Sequence, residues 1–358
     1  MQIEEELKSF KVRLDPLIEA YFEHVKENGL KEDALVAEAL DHAKEIVLAG
    51  GKRLRSAFMY YGYLGAGGTE KEKMLKTSMS VELIHSFLLV HDDIIDRDDV
   101  RHGVPTLHRR YATLGKRFFG PIDTDHFGMS IAIIMGDMLY SFGNDIIFTS
   151  EFSKERIFRA LSRLQNIVSF TVVGQARDIY MEYKKEATEE EILNMYRNKT
   201  AKYTVEGPLH LGAILAGAEE DLLTAFSEYA IPVGIAFQIQ DDILGIFGSE
   251  KRIGKPVGSD IEEGKITILV ARALKNGTSE QKKRLKEILA RGPALTENEQ
   301  KEFRAILVDT GAFQEVKELA QSYIVSGEKA LEVLKSKVTP EAYEFLAGVA
   351  QYMTHREY

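Results

Sequence analysis

Two pairs of adjacent aspartates stand inside apolar stretches of this 358-residue sequence, in Leu88-Leu89-Val90-His91-Asp92-Asp93-Ile94-Ile95-Asp96 and in Phe237-Gln238-Ile239-Gln240-Asp241-Asp242-Ile243-Leu244-Gly245. An unpartnered carboxylate in an apolar setting costs several kcal/mol even after relaxation, so each pair calls for a metal or an arginine. On a helix, Asp92 and Asp96 stand at i and i+4 and project from one face, while Asp93 turns about 100° away. Two hard oxygen donors side by side suit Mg²⁺, which takes one or two carboxylates, keeps several waters and completes its shell with phosphate oxygens. The set suits zinc poorly, because no His or Cys joins it in the right geometry.

Basic clusters complement the acids. Gly50-Gly51-Lys52-Arg53-Leu54-Arg55 sets Lys52 and Arg55 at i and i+3 near a helix start, where backbone N–H groups also favour an anion. Arg101-His102-Gly103-Val104-Pro105-Thr106 follows the first acidic stretch directly, and Lys199-Thr200, Lys255 and Lys265 supply further lysines. The net charge of -10 argues against non-specific nucleic-acid binding and places any phosphate chemistry in a pocket.

The elements that must hold these residues read as helices. Apolar residues recur at three and four over most of the chain, only eight prolines interrupt it, and alternating β-branched runs are missing, which predicts an all-α helical bundle. Long helices are expected over Ile3 to Asn28, Glu70 to Asp96, Lys154 to Lys185, Glu189 to Ala216 and Glu219 to Phe247, with a surface loop over Thr113 to Gly128. No Pro-, Gly- or Ser-rich linker divides the chain, so a single domain over residues 1–358 is expected. Cysteine is absent, which removes disulfides and thiol nucleophiles and suits a reducing compartment. The longest stretch free of Asp, Glu, Lys and Arg, Ser56 to Thr69, is shorter than the roughly 18 to 20 apolar residues of a membrane span. The start of the chain is acidic rather than basic and apolar, so a cytoplasmic location without a membrane span is expected.

Taken in order, Gly-Gly-Lys-Arg-Leu-Arg, His85 seven residues before Asp92-Asp93-Ile94-Ile95-Asp96, and Arg101-His102-Gly103-Val104-Pro105-Thr106 resemble the motifs of the trans-polyprenyl diphosphate synthases. The resemblance continues through Gly174-Gln175-Ala176-Arg177-Asp178, Lys199-Thr200, Phe237-Gln238-Ile239-Gln240-Asp241-Asp242 and Gly254-Lys255 to Lys265, covering about residues 50–269. It implies the isoprenoid synthase fold, with helices around a central cavity, and a homodimer. It also implies a transferase of isoprenoid biosynthesis that joins isopentenyl diphosphate to an allylic diphosphate. Asp92, Asp96 and Asp241 would hold Mg²⁺ ions on the allylic diphosphate, assisted by Arg101, Lys199 and Lys255. Lys52, Arg55 and His85 would hold the diphosphate of isopentenyl diphosphate, with His102 in place of the family's second arginine and Lys265 as a further substrate contact. Lys199, Thr200 and Gln238 would stabilise the cation and leaving group, and the released diphosphate would take up the final proton. The second motif carries Gly245 where the family's pattern has a third aspartate, leaving Asp241, with Asp260 as a supporting carboxylate behind it.

Phe87, five residues before Asp92, and Leu88, one turn before it, are expected to floor the apolar tunnel. One aromatic at that place, with no insertion among Asp92 to Asp96, resembles the geranylgeranyl diphosphate synthases and implies a C20 product, with C15 as the nearest alternative. A regulatory subunit of a partner synthase and a terpene cyclase are the competing readings. The first has no use for the full set of charges, and the second has little use for the Lys52, Arg55 and His85 cluster.

Overall fold

The computed structural model describes residues 2–29, 34–120, 123–248 and 258–354. Among these the chain is helical almost throughout, and the strands are two residues each, β1 (Val100–Arg101) and β2 (Val104–Pro105). Backbone contacts divide it into two compact units, Met1–Leu161 with Gly212–Gly217, and Ser162–Leu211 with Ala218–Tyr358.

The first unit is built from α1 (Ile3–Gly29), α2 (Ala34–Leu48), α3 (Leu54–Gly65), α4 (Lys71–Asp96), α5 (Leu107–Phe119) and α6 (Thr124–Phe148), and holds the start of α7 (Lys154–Lys184). Helix α1 buries Leu7, Phe10, Leu14, Ile18 and Phe22, the three-and-four spacing that lays one stripe against a core. Helix α4 is buried over most of its length and packs on α3 and α6, while α6 also packs on α5.

The expected loop over Thr113 to Gly128 is corrected here: α5 runs to Phe119 and α6 begins at Thr124, with Gly120 at φ 73° ending α5. The glycines that suggested a loop serve close packing. A Cβ on Gly115 would lie 2.6 Å from the Phe127 ring, and one on Gly128 would strike the His108 carbonyl, so these two let α5 and α6 approach.

The second unit holds the rest of α7 and α8 (Glu189–Tyr196), which passes through a π-helix (Arg197–Glu206) into α9 (Gly207–Ala216), whose residues from Gly212 on are counted in the first unit. It continues with α10 (Glu220–Phe247), α11 (Ser259–Glu262), α12 (Ile268–Asn276), α13 (Ser279–Leu289), α14 (Glu297–Asp309), α15 (Ala312–Leu334) and α16 (Pro340–Thr354). The expected helix over Glu189 to Ala216 is therefore continuous, with a widened stretch in its middle. Helix α10 packs on α15 and on the π-helix, and its Ile239 and Ile243 join Leu269, Phe303 and Val316 in the core. Reciprocal capping boxes start α8, α13 and α14, at Thr188 with Glu191, Thr278 with Gln281 and Thr296 with Glu299.

Among the described residues two helices, α6 and α10, are long and apolar enough by length and composition to qualify as membrane spans. A search for charge-free runs passes over both, because each carries scattered acids. More than half of the apolar window of α10 is buried within the protein, as in the core helix of a globular unit.

Candidate active site

In the first unit, the loop before α3 turns through Gly51 (φ 77°) and Arg53 (φ 55°), so Lys52 lies outside the helix and the expected helical spacing of Lys52 and Arg55 is not formed. Arg53, at the centre of the basic run, is buried and structural: its Nε donates to Asp15 Oδ1 at 2.7 Å and its Nη1 to Glu82 Oε2 at 3.3 Å. Glu82 also accepts from the Ser56 amide and hydroxyl, which anchors the start of α3 on α4. Lys52 is exposed, and Arg55 Nη1 lies 3.1 Å from His85 Nε2. Burial, followed by the charges of Arg55, Arg101, Arg53 and His102, pushes the His85 imidazole well below its ordinary pKa. Neutral His85 amid these cations marks a region that favours an anion.

The β1–β2 hairpin carries two more of the expected residues. His102 (φ 51°) and Gly103 (φ 81°) form its two-residue turn, with positive φ at both positions as a type I′ turn requires. The His102 ring lies over Gly50, where a Cβ would be 2.6 Å from Cγ, so the hairpin tip closes on the basic loop. Desolvation, then Arg101, Arg53 and Lys11, lowers the His102 pKa and favours the neutral ring at pH 7. Arg101 is committed within the protein: Nε donates to Asp93 Oδ1 at 2.5 Å and Nη2 to Asp98 Oδ2 at 3.2 Å.

That pairing separates the three aspartates of α4. Asp93 is buried and answered by Arg101, while Asp92 and Asp96 are half-buried in the last two turns. The C-terminal end of a helix is its negative end, so a carboxylate pair placed there favours a cation. One turn earlier Phe87 is buried between His91 of its own helix, at 4.9 Å between ring centroids, and Tyr140 of α6, at 5.1 Å; Leu88 is half-buried.

In the second unit the π-helix presents Lys199 and Thr200. Lys199 Nζ donates to Asp178 Oδ2 of α7 at 2.7 Å, and Thr200 Oγ1 donates to Gln238 Oε1 of α10 at 2.5 Å. Gln238 Nε2 in turn donates to Asp242 Oδ1 at 2.8 Å, and the Tyr196 hydroxyl donates to Asp242 Oδ2 while accepting from the Ile268 amide. Asp242 is therefore built into the protein, and burial, then Asp260, raises its pKa to about 8 against the pull of Tyr196 and Gln238. Asp241 is half-buried and stands one position away on α10.

Beside Gly245 lies the tip of Asp260: a Cβ at 245 would come within 2.4 Å of Asp260 Oδ2, so this carboxylate occupies the space beside that turn of α10. Lys265 Nζ lies 2.5 Å from Glu263 Oε2 and 3.7 Å from Asp260 Oδ1. Lys255 lies outside the described residues. Sequence reasoning quoted Asp178 without giving it a role and missed Tyr196 altogether. The four-residue spacing of Gly174 and Asp178 on α7 is the signal that could have found the first, whereas the Tyr196 contact spans 46 residues and leaves no local trace.

The all-α architecture is that of the isoprenoid synthases. A crystal structure of geranylgeranyl pyrophosphate synthase from Corynebacterium glutamicum, complexed with isoprenyl diphosphate and magnesium, matches with a TM-score of 0.89 at 31% identity over 100% of both chains. Residues 36–307 match the family model described as Polyprenyl synthetase. The geranylgeranyl diphosphate synthase of Methanosarcina mazei is 35% identical over 316 residues, covering 88% of this chain and 89% of that one. The short chain isoprenyl diphosphate synthase of Methanocaldococcus jannaschii is 38% identical over 247 residues, 69% of each. The chain belongs to the polyprenyl synthetase family and is a trans-prenyltransferase.

Proposed function

We propose that this enzyme condenses isopentenyl diphosphate with an allylic diphosphate, in a Mg²⁺-dependent reaction, to the C20 product geranylgeranyl diphosphate. The observation that carries the reading is the division of labour among the aspartates: Arg101 neutralises Asp93 internally, whereas Asp92 and Asp96 stand together at the negative end of α4. Carboxylates at i and i+4 fit Mg²⁺, which draws the rest of its shell from water and phosphate, and Asp92, Asp96 and Asp241 are the residues that would hold it. Bound there with the allylic diphosphate, Mg²⁺ supplies neutralisation of the negative charge that grows on the leaving group.

The residues of the chain do the remaining work. Arg55, His85 and Lys52 bind the diphosphate of isopentenyl diphosphate, and His102 closes over the loop that carries Lys52. Lys199 and Lys255 bear on the departing diphosphate, with Lys265 as an outer contact. Arg101 acts on it through Asp93, by setting the last turns of α4 and the hairpin. Thr200 and Gln238 offer oxygens to the allylic cation, and fixed dipoles in a water-poor site stabilise it more than water could. No protein base is required, since the released diphosphate accepts the final proton.

Ile133 and Ile134 on α6 are exposed, an apolar face that a second copy in a homodimer would cover. The absence of cysteine supports a cytoplasmic setting. Asp92→Ala and Asp96→Ala test the metal assignment: each is expected to abolish turnover while far-UV circular dichroism stays unchanged. Normal turnover in both variants would remove the assignment, and loss of helicity would make the two residues structural.

A further inference from the structure

The π-helix that carries Lys199 and Thr200 is held from two sides by the same device. On α7, a Cβ added to Gly174 would lie 2.6 Å from the Lys199 nitrogen and 2.9 Å from its Cα, and Asp178, four residues on, accepts from Lys199 Nζ at 2.7 Å. On α10, a Cβ added to Gly234 would lie 2.5 Å from the Ala201 Cα, and Gln238, again four residues on, accepts from Thr200 Oγ1 at 2.5 Å. Residues at i and i+4 share one helix face. Each flanking helix thus brings a glycine under the backbone of the π-helix and a polar side chain to the functional group one turn along. Neither glycine has positive φ, so neither is needed for an unusual turn. Glycine inside a long helix lowers helix stability relative to alanine. Its use at both places is explained by the space it leaves.

We propose that Gly174, Asp178 and Gly234 are positioning residues that, with Gln238, form two matched grips setting the depth and orientation of Lys199 and Thr200. The inference rests on the prenyltransferase reading for what Lys199 and Thr200 do, and it adds how they are held. A π-helix has a wider and less favourable turn than an α-helix, and such segments are found mostly at functional sites. Here two close backbone approaches hold it: Ala201 stands two residues after Lys199, so a shift at either glycine moves both functional side chains. A displacement of about an ångström in a positioned group is enough to cost a large factor in rate.

The test joins kinetics to a crystal structure. Gly174→Ala and Gly234→Ala are each expected to lower kcat at least tenfold while leaving the KM for isopentenyl diphosphate within about twofold and the helical content unchanged. Asp178→Asn, which keeps size and removes charge, is expected to lower kcat in the same way and stands in should either glycine variant fail to fold. In a Lys199→Ala background, Asp178→Asn is expected to lower kcat no further, because it acts through Lys199 alone, whereas Gly174→Ala still lowers kcat through Thr200. A merely structural role for Asp178 would instead multiply the losses, and that result would overturn the proposal, as would normal kcat in the singly substituted proteins. A crystal structure of Gly174→Ala supplies a readout free of activity: the Lys199 main chain is expected to move away from α7, and an unmoved main chain would also overturn the proposal. Wild-type protein that elongates no primer would count against the proposed function, while the displacement would still decide the grips.

Discussion

Asp93→Ala should destabilise the protein far more than Asp92→Ala, although the two are neighbours in one motif. Asp93 is 2% exposed and accepts from Arg101 Nε at 2.5 Å; the Arg101 side chain is itself 13% exposed. Deleting one member of a buried pair leaves the other charge poorly compensated, at a cost of about 3–5 kcal/mol. Asp98, 3.2 Å from Arg101 Nη2, remains as a partial partner and places the expected loss near 3 kcal/mol on that scale. Asp92 is half-buried and, on this account, serves a ligand, so its replacement should cost about 1 kcal/mol or less. Urea denaturation followed by circular dichroism measures both losses, with the metal-free protein as the reference state. Equal losses for the two variants, or a loss below about 1 kcal/mol for Asp93→Ala, would refute the separation of structural from ligand-facing aspartates.

His102→Arg should lower the KM for isopentenyl diphosphate with little change for the allylic substrate, because a ring kept neutral beside Arg101 and Arg53 is replaced by a permanent cation at the tip that covers Gly50; steady-state kinetics with each substrate varied checks this. Phe87→Ala should lengthen the products by opening the space between α4 and Tyr140, and Leu88→Phe should shorten them, both read by chromatography of the dephosphorylated products. His85 should make the ligand-free protein sensitive to acid. Its folded pKa is depressed below that of the unfolded chain, so its stabilising contribution is present above about pH 6.5 and is lost below it, by about 1.4 kcal/mol per pH unit until the folded pKa is reached. His85→Asn should flatten this part of the stability profile in urea titrations between pH 7 and pH 5, and an unchanged slope would contradict the buried neutral imidazole.

The helices and the acidic motifs were legible because their signals are local. Apolar spacing of three and four marks α1, α4 and α10, and the i, i+4 relation alone puts Asp92 and Asp96 on one face and Asp93 on another. What answers Asp93, however, is Arg101 on the first strand of the hairpin, and what lies against Gly245 is the Asp260 carboxylate of α11; both depend on tertiary approach. The glycines misled in one place and hid a function in another. Gly115 and Gly128 suggested a loop because glycine breaks helices when nothing packs on it, yet here each admits a neighbouring helix. Gly174 and Gly234 gave no sign of what packs against them, since a close approach between helices is written in neither helix separately. The π-helical winding of Arg197–Glu206 was also invisible, because apolar spacing marks a helix without distinguishing a turn widened by one residue.

The most direct test of the account is elongation itself. Purified protein is incubated with radiolabelled isopentenyl diphosphate, Mg²⁺ and, in separate reactions, dimethylallyl, geranyl or farnesyl diphosphate, and the products are dephosphorylated and separated by chain length. The account predicts label in a C20 prenyl alcohol from at least one primer, and none when the metal is removed by a chelator. Absence of elongation with every primer would contradict it and favour a regulatory subunit, and label that stops at C15 would contradict the assignment of Phe87 and Leu88 as the floor of a C20 tunnel.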